Sequence, residues 1–389
     1  MAPTPRFPVG YHDQLHPDRS INFQMNRWIN YLGEDALNEM RRIGPRLSDI
    51  ASYRREFMAL AEDAFSMGRA LPAAYYSRAA EFFMRTDDPL KLPTRKRFVD
   101  LVCQGLGVHD RDRVSIPYMD GDVHGQIPAY YFPHANPKGT IVIHGGFDSY
   151  IEELFPLVMY LRDSAFSVVC FEGPGQGAAL LESGLLLTHE WHKPVKVVLD
   201  HFGLTGVSLL GLSMGGCLAL RAAAAEPRVE RVIACDVFLD WTDTTMDKLG
   251  AIAPLLCVLL NARAAGVFNA VLAAVMQRSP LFEWGMHQAR LVLGASDSFE
   301  VFRTSKHYTT RDISSNVRQD VLILAGAEDH VIPLRHFHEQ LRILTKARSV
   351  TGRLFTRAEH AQNHCQVGNL RLVVDFIADW IDFASRHSV

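Results

Sequence analysis

Apolar positions recur with two different periods along the chain, and the change between them falls near residue 112. From residue 20 to about 108 the period is helical. Trp28, Ile29, Tyr31 and Leu32 form one apolar stripe, and Ile50, Tyr53, Phe57, Leu60, Ala64 and Met67 form a second. Pro72 suits the first turn of a further helix through Tyr75, Tyr76, Ala79, Phe82 and Phe83, where its missing N–H has no intrahelical partner to lose. Thr86-Asp87-Asp88-Pro89 closes that helix, because the residue before a proline is pushed out of the α region.

Beyond residue 112 short apolar runs replace the stripes. Residues 114–118 and 127–132 flank Asp120-Gly121-Asp122, which predicts a β-hairpin. Residues 139–143, 166–170, 207–210, 232–235 and 321–324 are brief and almost wholly apolar, as strands buried on both faces are, and helical stretches separate them. The expected fold class is therefore α/β: a mostly parallel sheet with an N-terminal antiparallel hairpin and helices on both faces. Residues 237–317 are too long for a simple crossover and carry Trp241, Phe268, Phe282, Trp284, Met286 and Phe302. They read as a helical insertion over the carboxyl edge of the sheet, where ligands of such folds bind; a plain extension of the core is the alternative. The expected organisation is a helical N-terminal region (1–111), a core (112–236), a cap (237–317) and the second part of the core (318–389).

Composition narrows the partners. A net charge of −3 with 21% charged residues leaves no basic stripe for nucleic acid. The opening Met1-Ala2-Pro3-Thr4-Pro5-Arg6 lacks the apolar core of a signal peptide. The apolar stretch from Ala251 is broken by Pro254, Asn261, Arg263 and Asn269, short of the roughly 20 apolar residues a membrane span needs. A soluble cytoplasmic protein is expected. Cys103, Cys170, Cys217, Cys235, Cys257 and Cys365 form no CxxC pair and no zinc-ligand spacing, so they read as free thiols of a reducing compartment. No cofactor or metal is expected. Gly173-Pro174-Gly175-Gln176-Gly177 lacks the lysine of a phosphate loop and reads as a tight turn near the site. His336 and His338, two apart, face different sides of a helix and suit a solvated helix better than a metal pair.

The chemistry concentrates at Gly211-Leu212-Ser213-Met214-Gly215-Gly216, set between the run 207–210 and the helical Cys217-Leu218-Ala219-Leu220. Strand, sharp turn and helix are the context in which Gly-x-Ser-x-Gly presents a nucleophile, with the helix N-terminus favouring negative charge; a capping serine in a glycine-rich turn is the bland reading. Acyl transfer then needs two donors for the developing oxyanion. The N–H of Met214 is one. The loop His144-Gly145-Gly146-Phe147-Asp148-Ser149 offers the other at Phe147, with Gly146 competing, and its glycines let the backbone approach a substrate. His144 stands in the wrong chain order for the base and suits orienting this loop. The acid is expected after a later strand, at Asp329 in Gly326-Ala327-Glu328-Asp329, with Glu328 and Asp236 as rivals. The base is expected last, at His364, with His360 as its rival.

Taken together, the His144–Ser149 loop, Phe171-Glu172-Gly173-Pro174-Gly175-Gln176-Gly177, the Ser213 turn, Asn363-His364-Cys365-Gln366 and the helical Tyr75-Tyr76-Ser77-Arg78-Ala79-Ala80-Glu81-Phe82-Phe83 resemble one family. It comprises the α/β-hydrolases related to fungal yellowish-green-type polyketide-shortening enzymes, and the bacterial 2,6-dihydroxypseudooxynicotine hydrolase is similar. The resemblance implies a serine attack on a ketone or acyl carbonyl with cleavage of a carbon–carbon or ester bond. It places Ser213, Asp329 and His364 on the family's catalytic positions. A polyketide-like small molecule, bound by Gly145, Gly146, Trp241 and Trp284 and made or trimmed in secondary metabolism, is the expected substrate, and a homodimer through the helical regions the implied assembly. An esterase, thioesterase or lactone-forming acyltransferase of the same fold remains an alternative reading, as does a ligand-binding protein that has kept the fold without catalysis.

Overall fold

The structure is a computed structural model and describes residues 7–387. The opening six residues, on which the signal-peptide reading rests, lie outside the described residues. Five helices come first: α1 (Arg19–Leu32), α2 (Glu34–Ile43), α3 (Ile50–Ser66), α4 (Ala70–Phe82) and α5 (Lys91–Leu106). Asp18 caps α1 by accepting the N–H groups of Ser20 and Ile21, and Asp49 forms a capping box with Ser52 at the start of α3.

The hairpin β1 (Arg113–Asp120) and β2 (Val123–Phe132) then opens the sheet. It continues with β3 (Thr140–His144), α6 (Phe155–Asp163), β4 (Ser167–Phe171), α7 (Gly177–Leu181), α8 (His192–Phe202), β5 (Val207–Leu212), α9 (Met214–Ala223) and β6 (Val229–Cys235). Five helices follow: α10 (Trp241–Leu249), α11 (Ala253–Asn261), α12 (Ala265–Met276), α13 (Pro280–Leu293) and α14 (Ser298–Ser305). The chain closes with β7 (Asp320–Gly326), α15 (Leu334–Ile343), β8 (Ser349–Phe355) and α16 (Leu370–His387). The eight strands lie in the order β1-β2-β4-β3-β5-β6-β7-β8. The β1–β2 and β2–β4 pairs are antiparallel and the others parallel.

Each apolar run read from the sequence is a strand. β8 is an addition at the open edge: Ser349, Val350 and Thr351 leave most of it polar or exposed, so it carries no buried-strand signature. α15 differs from expectation in one respect. His338 is exposed, but His336 turns inward and its ring nitrogen lies 3.2 Å from the Asp243 carboxylate of α10. Among the described residues no helix is long and apolar enough to cross a membrane. All six cysteines are free; Cys170, Cys217 and Cys235 are buried, and Cys257 is exposed.

Parallel pairing sets the ends of β3, β5, β6 and β7 level. His144 pairs with Gly211, Leu212 with Cys235, and Cys235 with Leu324. The loops after these strands therefore emerge side by side, at the point where β3 has β4 on one side and β5 on the other, the crevice such sheets use for ligands. One face of the sheet shares its core with the N-terminal helices, through Trp28, Tyr75, Phe98, Ile143, Leu210 and Leu322. The other packs on α8, α9 and the helices between β6 and β7, through Trp191, Leu218, Val232, Phe268 and Phe302.

An ionic knot ties the N-terminal helices to this crevice. Arg78 of α4, 2% exposed, pairs with Glu81 and Glu153, and its Nη2 donates to the Asp148 carbonyl at 2.6 Å. Arg27 of α1 reaches Glu153 at 2.5 Å, while Lys91 pairs with Glu81. Breaking a buried pair strands the remaining charge, at a cost of about 3–5 kcal/mol. The Arg78→Met variant is accordingly expected to lose stability on that scale, read as a fall of several degrees in thermal midpoint. Arg111→Met, whose ion pair is 81% exposed on the arginine side, is expected to leave it unchanged.

Candidate active site

Ser213 stands between the end of β5 and the first turn of α9 with φ 60° and ψ −124°. A left-handed φ costs a non-glycine residue about 1–3 kcal/mol and persists only where its surroundings enforce it. Here they do. The Ser213 N–H donates to the Cys235 carbonyl at 2.6 Å, and the Ser213 carbonyl accepts from Gly216 at 2.9 Å. Three glycines let the turn close. A Cβ on Gly211 would stand 2.0 Å from the Gly215 carbonyl oxygen, one on Gly215 2.5 Å from the Gly145 oxygen, and one on Gly216 2.1 Å from the Asp236 oxygen.

His364 Nε2 lies 2.8 Å from Ser213 Oγ, and His364 Nδ1 lies 2.7 Å from Asp329 Oδ2. Asp329 follows β7, and its other oxygen accepts the N–H groups of Val331 and Ile332 at 2.6 and 3.0 Å. Burial alone would raise this carboxyl, but the His364 imidazole and those two N–H donors outweigh it and bring it down to about 2. Burial likewise works against charge on His364, and the Asp329 carboxylate, with a hydrogen bond to Asp236, overrides it and raises the imidazole above its ordinary value. Of the rival positions, His360 is exposed at the end of the Arg357–Glu359 turn, and Glu328 pairs with Arg357 at 2.5 Å at the surface. Asp236 is within the cluster, its Oδ2 3.3 Å from His364 Nδ1.

The loop after β3 lies against the Ser213 turn. A Cβ on Gly146 would meet the Leu212 oxygen at 2.8 Å and the Met214 nitrogen at 2.9 Å. Gly146 directs its own N–H to Ser149 Oγ at 3.4 Å, whereas the Phe147 and Met214 N–H groups have no protein acceptor among the described residues. His144 is fully buried; Trp191 Nε1 donates to its Nε2 at 3.2 Å, so Nδ1 carries the proton and faces the Gly145 carbonyl at 3.0 Å. Burial pushes His144 down to about 4, which keeps it neutral.

Sequence reasoning passed over several residues. Gln176, in the glycine-rich turn after β4, donates its side-chain amide to the Gly145 and Gly146 carbonyls at 2.7 and 3.1 Å and accepts the Gly173 N–H at 3.1 Å. Glu172 before it accepts the N–H groups of Ile151 and Ala178. Phe23 of α1 lies tilted against His330, ring centroids 4.8 Å apart, and 6.2 Å from the His364 ring, so the N-terminal region supplies a wall of the site. Lys248, near the end of α10, keeps contact with solvent and has no hydrogen-bond or ion-pair partner among the described residues. Enough protein surrounds its ammonium for burial to lower its pKa, opposed by the carboxylates of Asp329 and Asp148.

Trp241 stands edge-on to Phe147 at 5.4 Å, and Trp284 stacks on Phe82 at 4.9 Å. Trp284 also walls a cleft with Phe147, Asp148 and Ser149, and its far side lines a groove of about 960 Å³ with Met58, Phe83, Met84 and His287. Ligand atoms of Asp236, His364 and Cys365 lie within 4.8 Å of one another, a spacing that could hold a metal ion. Protein partners already engage them: Asp236 accepts the Cys365 N–H at 2.7 Å and His364 Nδ1 faces Asp329, so a cation there would have to displace both contacts.

This arrangement is that of a hydrolase, and residues 140–366 match the sequence profile of the alpha/beta hydrolase family, to which the chain belongs. Among its relatives, hydrolase acrC of Aspergillus aculeatus is 30% identical over 67% of each chain. Hydrolase LUC6 of a Fusarium species is 28% identical over 84% of this chain and 86% of its own. The 20-hydroxy-prefusarin hydrolase FUS2 of Gibberella moniliformis is 30% identical over 69% of this chain and 70% of its own. Among solved structures, 2,6-dihydroxy-pseudo-oxynicotine hydrolase shares the fold with a TM-score of 0.59 at 21% identity, covering 91% of this chain and 88% of its own. AbyA5 does so with a TM-score of 0.62 at 17% identity, covering 94% of this chain and all of its own. The resemblance seen in the motifs, to fungal hydrolases and to that bacterial enzyme, is met.

Gln176→Leu leaves the Gly145 and Gly146 carbonyls without their donor while filling the same space. Turnover of a model aryl ester is expected to fall about 10- to 100-fold, the scale of an ångström's misplacement in a preorganised site. The thermal midpoint is expected to drop only a few degrees.

Proposed function

We infer that this chain is a serine hydrolase working through an acyl-enzyme on a polyketide-like ketone or acyl substrate in secondary metabolism. The observation that carries the reading is the continuous chain Asp329–His364–Ser213, with contacts of 2.7 and 2.8 Å. Ser213 Oγ adds to the substrate carbonyl carbon as its proton passes to His364 Nε2, and Asp329 steadies the imidazolium that results. The Phe147 and Met214 N–H groups receive the oxyanion. When the tetrahedral intermediate collapses, the bond to the leaving group breaks and the His364 proton goes to it. Water, deprotonated by the same imidazole, then releases the acid from Ser213.

A carbon leaving group departs only if its electron pair is delocalised into a neighbouring carbonyl or aromatic ring. A β-diketone or aryl ketone meets that condition, and Lys248 supports it by offering an uncommitted cation beside the site. Phe147 and Trp284 offer apolar surface of the kind such a ligand needs beside the loop after β3, and the buried Trp241 backs Phe147 edge-on. The relationship to a hydrolase of 20-hydroxy-prefusarin favours a secondary metabolite over a primary one.

Product masses from β-diketone, aryl ketone and aryl ester substrates test the reading, with Ser213→Ala as control. Cleavage of a carbon–carbon bond with uptake of one water is expected, and a loss of at least about 10³-fold in the control, since removing such a nucleophile costs that or more. Lys248→Met is expected to slow ketone cleavage about 10-fold or more and leave aryl ester cleavage within about 2-fold, because a phenolate needs less stabilisation than an enolate. Turnover confined to esters, with ketones untouched, would make the protein an esterase. A Ser213→Ala variant of near wild-type rate would remove the mechanism.

A further inference from the structure

Two carboxylates converge on the imidazole of His364. Asp329 Oδ2 lies 2.7 Å from Nδ1 and Asp236 Oδ2 lies 3.3 Å from the same atom. They arrive from different strands, Asp236 after β6 and Asp329 after β7. One N–H makes one strong hydrogen bond, and the shorter contact belongs to Asp329. The Asp236 carboxylate, 1% exposed, directs its lone pairs to the residues that follow His364. Its Oδ2 accepts the Cys365 N–H at 2.7 Å, and its Oδ1 accepts the side-chain amide of Gln366. Gln366, wholly buried, takes the Cys235 thiol on its own oxygen at 3.2 Å. Cys365 and Gln366 have φ of 48° and 51°, a left-handed backbone that non-glycine residues hold only under constraint. Asp236 is that constraint, and its backbone oxygen abuts Gly216 of the Ser213 turn.

Hydrogen bonding alone does not call for an ion here. An asparagine would offer Oδ1 to the Cys365 N–H and Nδ2 to a Gln366 amide turned end for end. What only a carboxylate adds is charge beside His364.

We propose that Asp236 is a positioning residue for His364: it fixes the left-handed turn that carries the imidazole, and its charge joins that of Asp329 in holding the imidazolium formed when Ser213 gives up its proton. The inference rests on the reading of Ser213 and His364 given above. Burial pushes the Asp236 carboxyl up to about 6, with the Asp329 charge adding to the shift and the His364 hydrogen bond opposing it. Above that pH it is ionised, and His364 then faces two negative groups. The other titratable groups near His364 are the Cys365 thiol on its own turn, His330 after β7, and Lys248 of α10, which acts on Asp329.

Asp236→Asn removes the charge and keeps the turn. A fall of about 10-fold in kcat with KM within about 2-fold is expected. The acid limb of kcat/KM, which reports the base of the free enzyme, is expected to move to lower pH, because a group that raises His364 has gone. Asp329→Asn is expected to cost about 10⁴-fold, as removal of such an acid does elsewhere. The Asp236→Asn, Asp329→Asn double variant is expected to lose about another 10-fold or more, the last negative charge being gone. Wild-type kcat and an unmoved acid limb in Asp236→Asn would overturn the proposal. If that variant does not fold, Gln366→Leu loosens the same turn while leaving both charges; a lowered kcat with the acid limb in place is expected, and an unchanged kcat would overturn it. Ser213→Ala and His364→Ala accompany the series. Full activity in either removes the site itself, whereas their inactivity beside an unaltered Asp236→Asn removes only the role of Asp236.

Discussion

Backbone meets backbone at Gly146, Gly211, Gly215 and Gly216 with no space for a Cβ between them, and the geometry of the site follows from that contact. Three loops from three adjacent strands press together there. The pressure holds Ser213 at a φ of 60° with its hydroxyl lifted off the sheet. It also sets the Phe147 and Met214 N–H groups on neighbouring turns, free of other acceptors among the described residues. The level ends of β3, β5, β6 and β7 make the approach possible, because a slip of one residue in any pair would turn the loops away from one another.

The second determinant is where charge is permitted inside. Two buried histidines lie close to this contact and differ only in their neighbours. His144 is faced by the Trp191 N–H and a carbonyl, and burial holds it neutral near 4. His364 is faced by Asp329 and Asp236, which override the same burial and raise it. Burial thus disfavours charge on one ring, while two carboxylates favour it on the other. The N-terminal helices enter this balance directly. Phe23 shields the His364 side, and Arg78 holds the Asp148 carbonyl of the loop after β3 while its charge is spent on Glu81 and Glu153.

Most of this was legible in the sequence where one residue type serves one local need. The strand runs and the strand–turn–helix at Ser213 depend on short-range patterns, and each is found where those patterns put it; Ser213, Asp329 and His364, expected in that chain order, lie within hydrogen-bond distance, with His364 between the other two. His364 is preferred to His360 on its position in the chain alone; that one imidazole is buried beside Asp329 and Ser213 while the other is exposed was not legible. Nor was the work of Gln176. Its turn was in view, but what the amide touches lies across the sheet on another loop. Phe23, Lys248 and the convergence of Asp236 with Asp329 are likewise contacts between residues far apart in the chain, and no periodicity announces them. β8 escaped notice for the opposite reason: as an edge strand it buries too little to be apolar.

Catalysis by the proposed route depends on the reactivity of one hydroxyl. The direct measurement is mass spectrometry of the chain digested after treatment with a serine-directed phosphonate, with His364→Ala in parallel. A single adduct on the peptide that contains Ser213, formed far more slowly in the variant, is the expected result. An unlabelled Ser213, or labelling that proceeds equally without His364, would contradict it.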